Sequence, residues 1–398
     1  MNHEQFFTQH RNGFLEHTFG GRVPDQIFDL RQGAMVAYAP QRANIYRWRG
    51  LQNLARECFA HFGIPRDVAF NAPNHEIASS ILSGRASGSL GIVASSDGAA
   101  FNATGAFSNI LRDAANVTLR DGDNEAPTTF DAWAGRGPAV SDFKTVNRVI
   151  SGEIGDPKMI PEDGEFDEST FIDGKETYRL NVWGQMFSLT WQAMVNDSDG
   201  AFKTIIPKLG RSMRRKENKL VYQVLKDNAA LSGGTALFHA DRLNLTTGTA
   251  TPTVATLNTM SQKLSEQTGL NADAVLNLEP KFLLAPPALR GTVLELLAST
   301  ANPAASGNSG VKNVWENAVE PVIDALLGAD AGGSDTAWYL NSDPLDCQTV
   351  EYAYLEGLEN PVIESTSAFS SLAMKWRIYH AFATAALDHR GMQKHNGV

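Results

Sequence analysis

Two neighbouring stretches of this chain carry opposite charge. From Ser151 to Glu176 the acids Glu153, Asp156, Glu162, Asp163, Glu165, Asp167, Glu168, Asp173 and Glu176 meet only Lys158 and Lys175. Beyond Ala201 the balance reverses, and Lys203, Lys208, Arg211, Arg214, Arg215, Lys216, Lys219 and Lys226 face only Glu217 and Asp227. Opposite fields on one polypeptide steer copies onto each other and fix their register. Self-assembly is therefore the first function class this sequence suggests.

Periodicity gives the two stretches a shape. Residues 144–154 and 176–191 read as extended, and the acidic segment 155–175 joins them as the tip of a long hairpin. Tyr178, Leu180 and Val182 share one face of the second strand, whereas Phe187, Leu189 and Trp191 share a face of opposite parity. A parity switch needs an extra residue, and Gly184 is the expected bulge. A two-stranded flap has little of its own to bury, so a partner surface is expected to complete it. The basic stretch reads as the longest helix, with Asp197, Ser198 and Asp199 as capping candidates. At 100° per residue, Phe202, Ile206, Leu209, Met213, Leu220 and Val224 form an apolar stripe. Lys208, Arg211, Arg215, Lys219 and Lys226 line the opposite face as a cationic rail.

The rest of the chain divides by its turn signals. Residues 1–75 read as a separate leader whose one strong helix is 42–62. There Arg42, Tyr46, Arg47, Trp48 and Arg49 interleave basic and aromatic residues as a single-strand nucleic-acid platform would. A packed helix face is preferred, because no second such cluster follows. Asn74 is an N-cap for a helix to Leu82, and a Gly/Ser/Ala-rich link leads to a helix over 106–119. Helix and strand then alternate from Thr253 to Ser342, and further strands are expected at 350–355 and 373–379.

Composition excludes several classes. At 398 residues the chain can bury a large core, with two or three domains as the prior. A net charge of -10 argues against a surface that grips nucleic acid all round. Cys58 and Cys347 have neither redox nor metal spacing, so a reducing compartment and buried thiols are expected. The first twenty residues lack the apolar run of a signal peptide, and no stretch suits a membrane span. His239 and Asp241 could begin a metal site, but no third ligand follows at a recognisable spacing, and a structural turn is the preferred reading. Asp388-His389-Arg390 reads the same way. No nucleophile elbow, metalloprotease helix, phosphate loop or Cys-x-x-Cys is present. No catalytic residue, cofactor or metal is assigned.

Several local stretches resemble one family. They are Glu125-Ala126-Pro127, Asp142-Phe143-Lys144-Thr145-Val146, Tyr178-Arg179-Leu180, Ala201-Phe202 leading to Leu209-Gly210-Arg211, Ala236-Leu237-Phe238-His239-Ala240-Asp241, Leu278-Glu279-Pro280, Ala337-Trp338-Tyr339-Leu340 and Glu351-Tyr352-Ala353-Tyr354-Leu355-Glu356-Gly357. In order and spacing they resemble the major capsid proteins of tailed bacteriophages, in particular the Mu-like major head subunit family, over about 74–396.

That resemblance implies an α+β fold of the tailed-phage and herpesvirus capsid type. Residues 76–143 would be the N-terminal arm and 144–191 the extended loop. Residues 192–248 with 346–398 would form the peripheral domain with its spine helix, and 249–345 the axial domain. The implied function is a shell subunit that self-assembles into pentamers and hexamers around double-stranded DNA. Portal, scaffold or protease and decoration proteins are the further partners, and the virion is the location, after synthesis in the bacterial cytoplasm. The acidic contacts of the loop would be Glu162, Asp163, Glu165, Asp167 and Glu168, and its apolar contacts Tyr178, Leu180, Phe187 and Trp191. The cationic rail would receive that loop or face DNA. Three other readings stay open: an encapsulin-like nanocompartment shell, a metal-dependent hydrolase using His239 and Asp241, and a nucleic-acid-binding protein.

Overall fold

The computed structural model describes residues 26–29, 34–37, 51–83, 127–151, 173–190, 192, 201–248, 251–270, 274–303, 311–368 and 373–397, with single helical positions between 109 and 119. In chain order the main elements are β1 (Gln26–Asp29), β2 (Ala34–Ala37), α1 (Leu51–His61), α2 (Arg66–Asn71), α3 (Asn74–Ser83), α4 (Phe130–Trp133), β3 (Gly135–Arg136), β4 (Val146–Ser151), β5 (Asp173–Tyr178) and β6 (Asn181–Thr190). There follow α5 (Ala201–Asp227), β7 (Leu245–Thr246), α6 (Val254–Ser265), β8 (Pro280–Ala285), α7 (Arg290–Ala298), β9 (Glu320–Ile323), β10 (Trp338–Ser342), β11 (Val350–Tyr354), β12 (Val362–Ala368), β13 (Ala373–Ala386) and β14 (Met392–His395). The architecture is α+β, and two compact units share it.

The first unit draws on Met1–Pro127, Val182–Arg215 and Leu358–His380. Its core joins Leu54, Phe59 and Ile64 of the α1–α2 region to Ile77 and Ile81 of α3, Ile206 and Met213 of α5, and Trp376 and Ile378 of β13. The described part of the expected leader is therefore not independent. Its apolar helix face needs the same core as the strands. Arg56 ties the turn after α2 by donating to the Phe70 and Ala72 carbonyls at 3.0 and 2.9 Å. In this unit β12 pairs antiparallel with Ala373–Tyr379, and β6 also pairs with β13.

The second unit comprises Thr128–Asn181, Lys216–Gly357 and Ala381–Val398. Its main sheet has the order β7-β14-β10-β8-β9. Apolar side chains of β8 and β10 (Leu283, Ala285, Trp338, Leu340) pack against Leu257 and Met260 of α6 and Val293 and Leu297 of α7. Helix α6 starts at a capping box, in which the Thr253 and Thr256 hydroxyls accept from each other's backbone N–H. The sheet crosses the expected limits of the axial domain, 249–345. Strand β14 lies between β7 and β10, so residues 245–246 and 392–395 complete it. A sheet of only β8, β9 and β10 would leave the edge of β10 unpaired.

A second group of strands in this unit holds an aromatic cluster. Strand β11 pairs antiparallel with Phe382–Ala386 and parallel with β3. Phe130, Tyr352, Tyr354 and Phe382 meet there, with a T-shaped pair of 5.0 Å between Phe130 and Tyr352.

The expected second strand of the hairpin is two strands. Residues 173–178 pair with β4, but after Arg179-Leu180 the chain joins β13 as β6. This break explains the parity switch, because Tyr178 and Leu180 are buried in one unit while Phe187 and Leu189 pack in the core of the other. Gly184 lies inside the continuous strand β6. A Cβ there would lie 2.8 Å from the Ile378 carbonyl oxygen, so glycine permits the close approach of β6 to β13.

Candidate assembly surface

The described base of the acidic hairpin runs from Val146↔Tyr178 to Ser151↔Asp173. It is anchored on its own unit. The fully buried Glu351 carboxylate accepts from Arg148 Nη2 and from the Tyr178 hydroxyl, each at 2.6 Å. Burial, and then the bond to Glu351, push the Tyr178 phenol far above its ordinary value. A Cβ at Gly137 would sit 2.5 Å from the Glu351 side chain, so a larger residue there would have to push the carboxylate off Arg148 and Tyr178. On the other strand Glu176 accepts from the Ser232 backbone and hydroxyl at 2.9 and 2.7 Å. Val146 and Ile150 pack beside Tyr178, Leu180, Ala353 and Leu387.

These contacts change the expected roles of the loop's apolar residues. Tyr178 and Leu180, 8% and 2% exposed, are core of their own subunit and cannot also cover a neighbour. Phe187 stacks on Trp376 at 5.9 Å inside the first unit. Trp191 and the acids Glu162, Asp163, Glu165, Asp167 and Glu168 lie outside the described residues. The described strands of the flap are thus not waiting for a partner to hold them.

Helix α5 presents the cationic side chains Lys208, Arg211, Arg215 and Lys219 to solvent. Their spacing of three, four and four residues keeps them in one row. Lys226 departs from it: its Nζ donates to the Ala331 carbonyl at 2.8 Å, and burial, then the charge of Lys219, lower its affinity for a proton. The apolar face departs from the expected stripe too. Residues 201–215 bury Ile206, Leu209 and Met213, but beyond Lys216 the buried positions are Glu217, Asn218, Val221, Tyr222 and Leu225. Leu220 and Val224 are only half-buried. Two polar residues stand in the buried row because the second unit supplies partners. Asn218 donates to Asp324 at 3.1 Å, and Asp324 also accepts from the Thr129 hydroxyl at 2.5 Å and from Leu326 N at 2.8 Å.

The remaining sequence candidates are structural. His239 caps a 3-10 turn over Ala240–Arg242, its Nδ1 accepting from Asp241 N at 3.2 Å. Asp388 and Arg390 form a buried two-bond ion pair, with Nε to Oδ1 at 2.9 Å and Nη2 to Oδ2 at 2.5 Å. Burial alone would raise the Asp388 carboxyl, but the Arg390 bonds and charge outweigh it and hold it low. His389 beside it is pushed down to about 4, chiefly by burial. Burial, and then the charge of Asp388, push the Cys347 thiol up to about 12, which keeps it protonated. Among the described residues no group of three or more His, Cys, Asp or Glu is placed to hold a metal. Among the same residues no helix is long and apolar enough to cross a membrane.

Sequence reasoning missed Glu351, Glu217, Asp324 and the pairing of Asp388 with Arg390. The signal for Glu351 was present: a lone carboxylate inside the aromatic run 350–354, which a buried strand tolerates only with a cation and donors at hand.

A family model described as phage capsid protein matches residues 174–395. No curated protein matches the chain. Solved structures similar to it include a chain titled Mycobacterium phage Adephagia, 10% identical, covering 68% of this chain and 90% of that one at a TM-score of 0.46. A virus-like particle from Pyrococcus furiosus is 10% identical, with 72% and 98% covered and a TM-score of 0.42. The holo-SrpI encapsulin complex from Synechococcus elongatus PCC 7942 is 12% identical, with 67% and 85% covered and a TM-score of 0.41.

Proposed function

Because this chain belongs to the phage capsid protein family, we propose that it is the major head subunit of a tailed phage, of the Mu-like kind, closing with copies of itself into pentamers and hexamers around double-stranded DNA. The observation that carries this reading is the extent of the family match. It runs from the second strand of the hairpin through the cationic helix and every strand from β6 to β14. The subunit's work is structural, as in its family, and rests on heterologous contacts that repeat around each ring of copies.

In this reading the acidic segment after β4 reaches the cationic row of a neighbour's α5. Exposed ion pairs contribute about 0–1 kcal/mol each, so the charges set register and rate while buried apolar area supplies the affinity. The alternative role for the row is contact with packaged DNA, whose phosphates it would meet without sequence preference. Portal, scaffold or protease and decoration proteins are the other partners proposed, with synthesis in the host cytoplasm and residence in the virion.

The test is electron microscopy of the purified full-length chain after expression without other phage proteins and after co-expression with its neighbouring genes. Hollow particles of uniform diameter are expected. A protein that stays monomeric under both regimes, at every concentration reached, would sink the shell reading. Nuclease-protected DNA inside particles from infected cells separates a phage head from a compartment that encloses protein.

A further inference from the structure

Among the described residues, four other than glycine hold a positive φ: Asn228, Leu243, Asn277 and Asn317. Asparagine tolerates the left-handed region because its short amide can bond locally, and leucine has no such relief. Leu243, at φ 53° and ψ 20°, closes the 3-10 turn over Ala240–Arg242, its N–H donating to the Ala240 carbonyl at 3.0 Å. Glycine or asparagine would close the same turn with less strain. Packing inside its own subunit offsets little of that strain, since Leu243 is 63% exposed. A strained apolar residue left in water points to a role outside the subunit.

The turn is fixed on both flanks of Leu243. The fully buried Asn244 accepts from His239 N at 2.9 Å and donates to the Leu237 and His389 carbonyls at 2.7 and 3.1 Å. On the other side Gln267 Nε2 donates to the Arg242 carbonyl at 3.1 Å. A residue held in this way loses little further freedom on docking. The same unit carries a recess of about 210 Å³, lined by Pro252, Val254, Leu296 and Pro303, with Thr292 and Glu295 also in its wall. A cavity of about 150 Å³ takes up benzene, so an isobutyl group fits here. Val254 begins α6 and Gln267 lies just past its end at Ser265, so the recess and the leucine turn belong to opposite ends of one helix. Leu243, being exposed, does not fill the recess of its own chain.

We propose that Leu243 of one copy enters the recess between Val254 and Leu296 on a second copy, and that this contact repeats head to tail around each ring. A knob and a recess at different places on one chain make a heterologous contact, which closes into a ring when its rotation allows. Asp241 beside the knob is exposed, and Glu295 in the wall carries the same charge, so burial of the leucine rather than ion pairing supplies the attraction. The proposal rests on the shell reading and adds to it an apolar anchor that uses neither the cationic helix nor the acidic hairpin.

The experiment uses the full-length chain. Leu243→Asn suits the left-handed turn, so the unfolding midpoint should hold or rise while particle yield at a fixed low subunit concentration falls about tenfold. Thr292→Trp fills the recess from an exposed position on α7, and should lower the yield in the same way with the midpoint unchanged. Leu243→Cys and Thr292→Cys together, oxidised in assembled particles, should give covalent ladders longer than a dimer, and neither cysteine alone should do so. Full yield from Leu243→Asn, a midpoint that falls with it, or double-cysteine particles without ladders overturn the contact and leave the shell reading standing. Absence of particles from the unaltered chain overturns the shell reading, and the contact falls with it.

Discussion

Charge is concentrated in two regions of this molecule, and the two use it in opposite ways. Around Glu351 a carboxylate and a phenol are buried inside one unit, and the carboxylate accepts at 2.6 Å both from that phenol and from the part-exposed guanidinium of Arg148. Along α5 the exposed row Lys208, Arg211, Arg215 and Lys219 faces water. An interior ion is committed to one geometry, because removing its partner strands a charge where water cannot reach. An exposed ion contributes little to its own fold and is screened within about 10 Å at 0.1 M salt, so its worth lies in what approaches from outside. Buried charge specifies the subunit; exposed charge specifies its neighbours.

The strongest way to break this comparison is at Glu351. Glu351→Ala leaves the buried Tyr178 hydroxyl without its acceptor and the part-exposed Arg148 without its partner, and should cost about 3 kcal/mol, read as a fall in the urea midpoint. Glu351→Gln keeps an acceptor for Tyr178 and should lose less. If both variants unfold within error of the unaltered protein, the interior site is not the anchor of the hairpin.

A smaller effect is expected from pH at His389. Its imidazole, ordinarily near 6.5, falls to about 4 in the folded chain, chiefly through burial. Between those two values the unfolded chain holds more protons, so stability is complete above pH 6.5 and is lost as pH falls toward 4. The loss is on the order of 2 kcal/mol, since the side chain keeps some contact with solvent. His389→Gln should flatten the stability profile in that window. The depressed Asp388 carboxyl acts lower, its contribution being lost only as pH falls below the ordinary carboxylate range. A profile unchanged by His389→Gln would mean that the histidine is already solvated in the native state.

Thr253→Ala tests a neutral site between the two extremes. It removes the hydroxyl that accepts from Thr256 N at 3.2 Å at the start of α6. The expected loss is about 1 kcal/mol in thermal or urea unfolding, with assembly unaffected.

Much of the architecture was legible because it rests on periodicity. The long helix, α6, β8 and β11 follow from apolar spacing, and the break in parity after Leu180 was visible as a pattern. Its cause was not, since nothing local distinguishes a bulge at Gly184 from a chain that leaves one partner strand for another. The buried row of α5 was misread for a related reason. Asn218 looks like a surface residue until Asp324, 106 positions away, accepts from it, and Glu217 until the Tyr354 hydroxyl, 137 positions away, donates to it. Strand β14 was missed because Met392–His395 is short and buries polar and apolar residues alike. Whatever depends on a distant partner was hidden: the closure of Glu351 with Arg148 spans 203 positions. Whatever faces solvent in a regular row, as Arg211, Arg215 and Lys219 do, could be read directly.

The last prediction is the smallest in stability and the sharpest for the comparison. Changing Arg211, Arg215 and Lys219 together to Glu replaces one row of like charges, spaced four residues apart, with another. The repulsion along the helix is therefore nearly the same before and after, since i,i+4 like pairs cost similar small amounts whatever their sign. The unfolding midpoint should stay within error of the unaltered protein. Assembly should not survive, because each copy would then present a negative face to the acidic segment that follows β4. The block should ease as salt is raised, while assembly of the unaltered chain should weaken under the same change. Light scattering against ionic strength measures both trends on one instrument. Parallel curves for the two proteins would mean that the exposed row, like the buried cluster, serves only its own subunit.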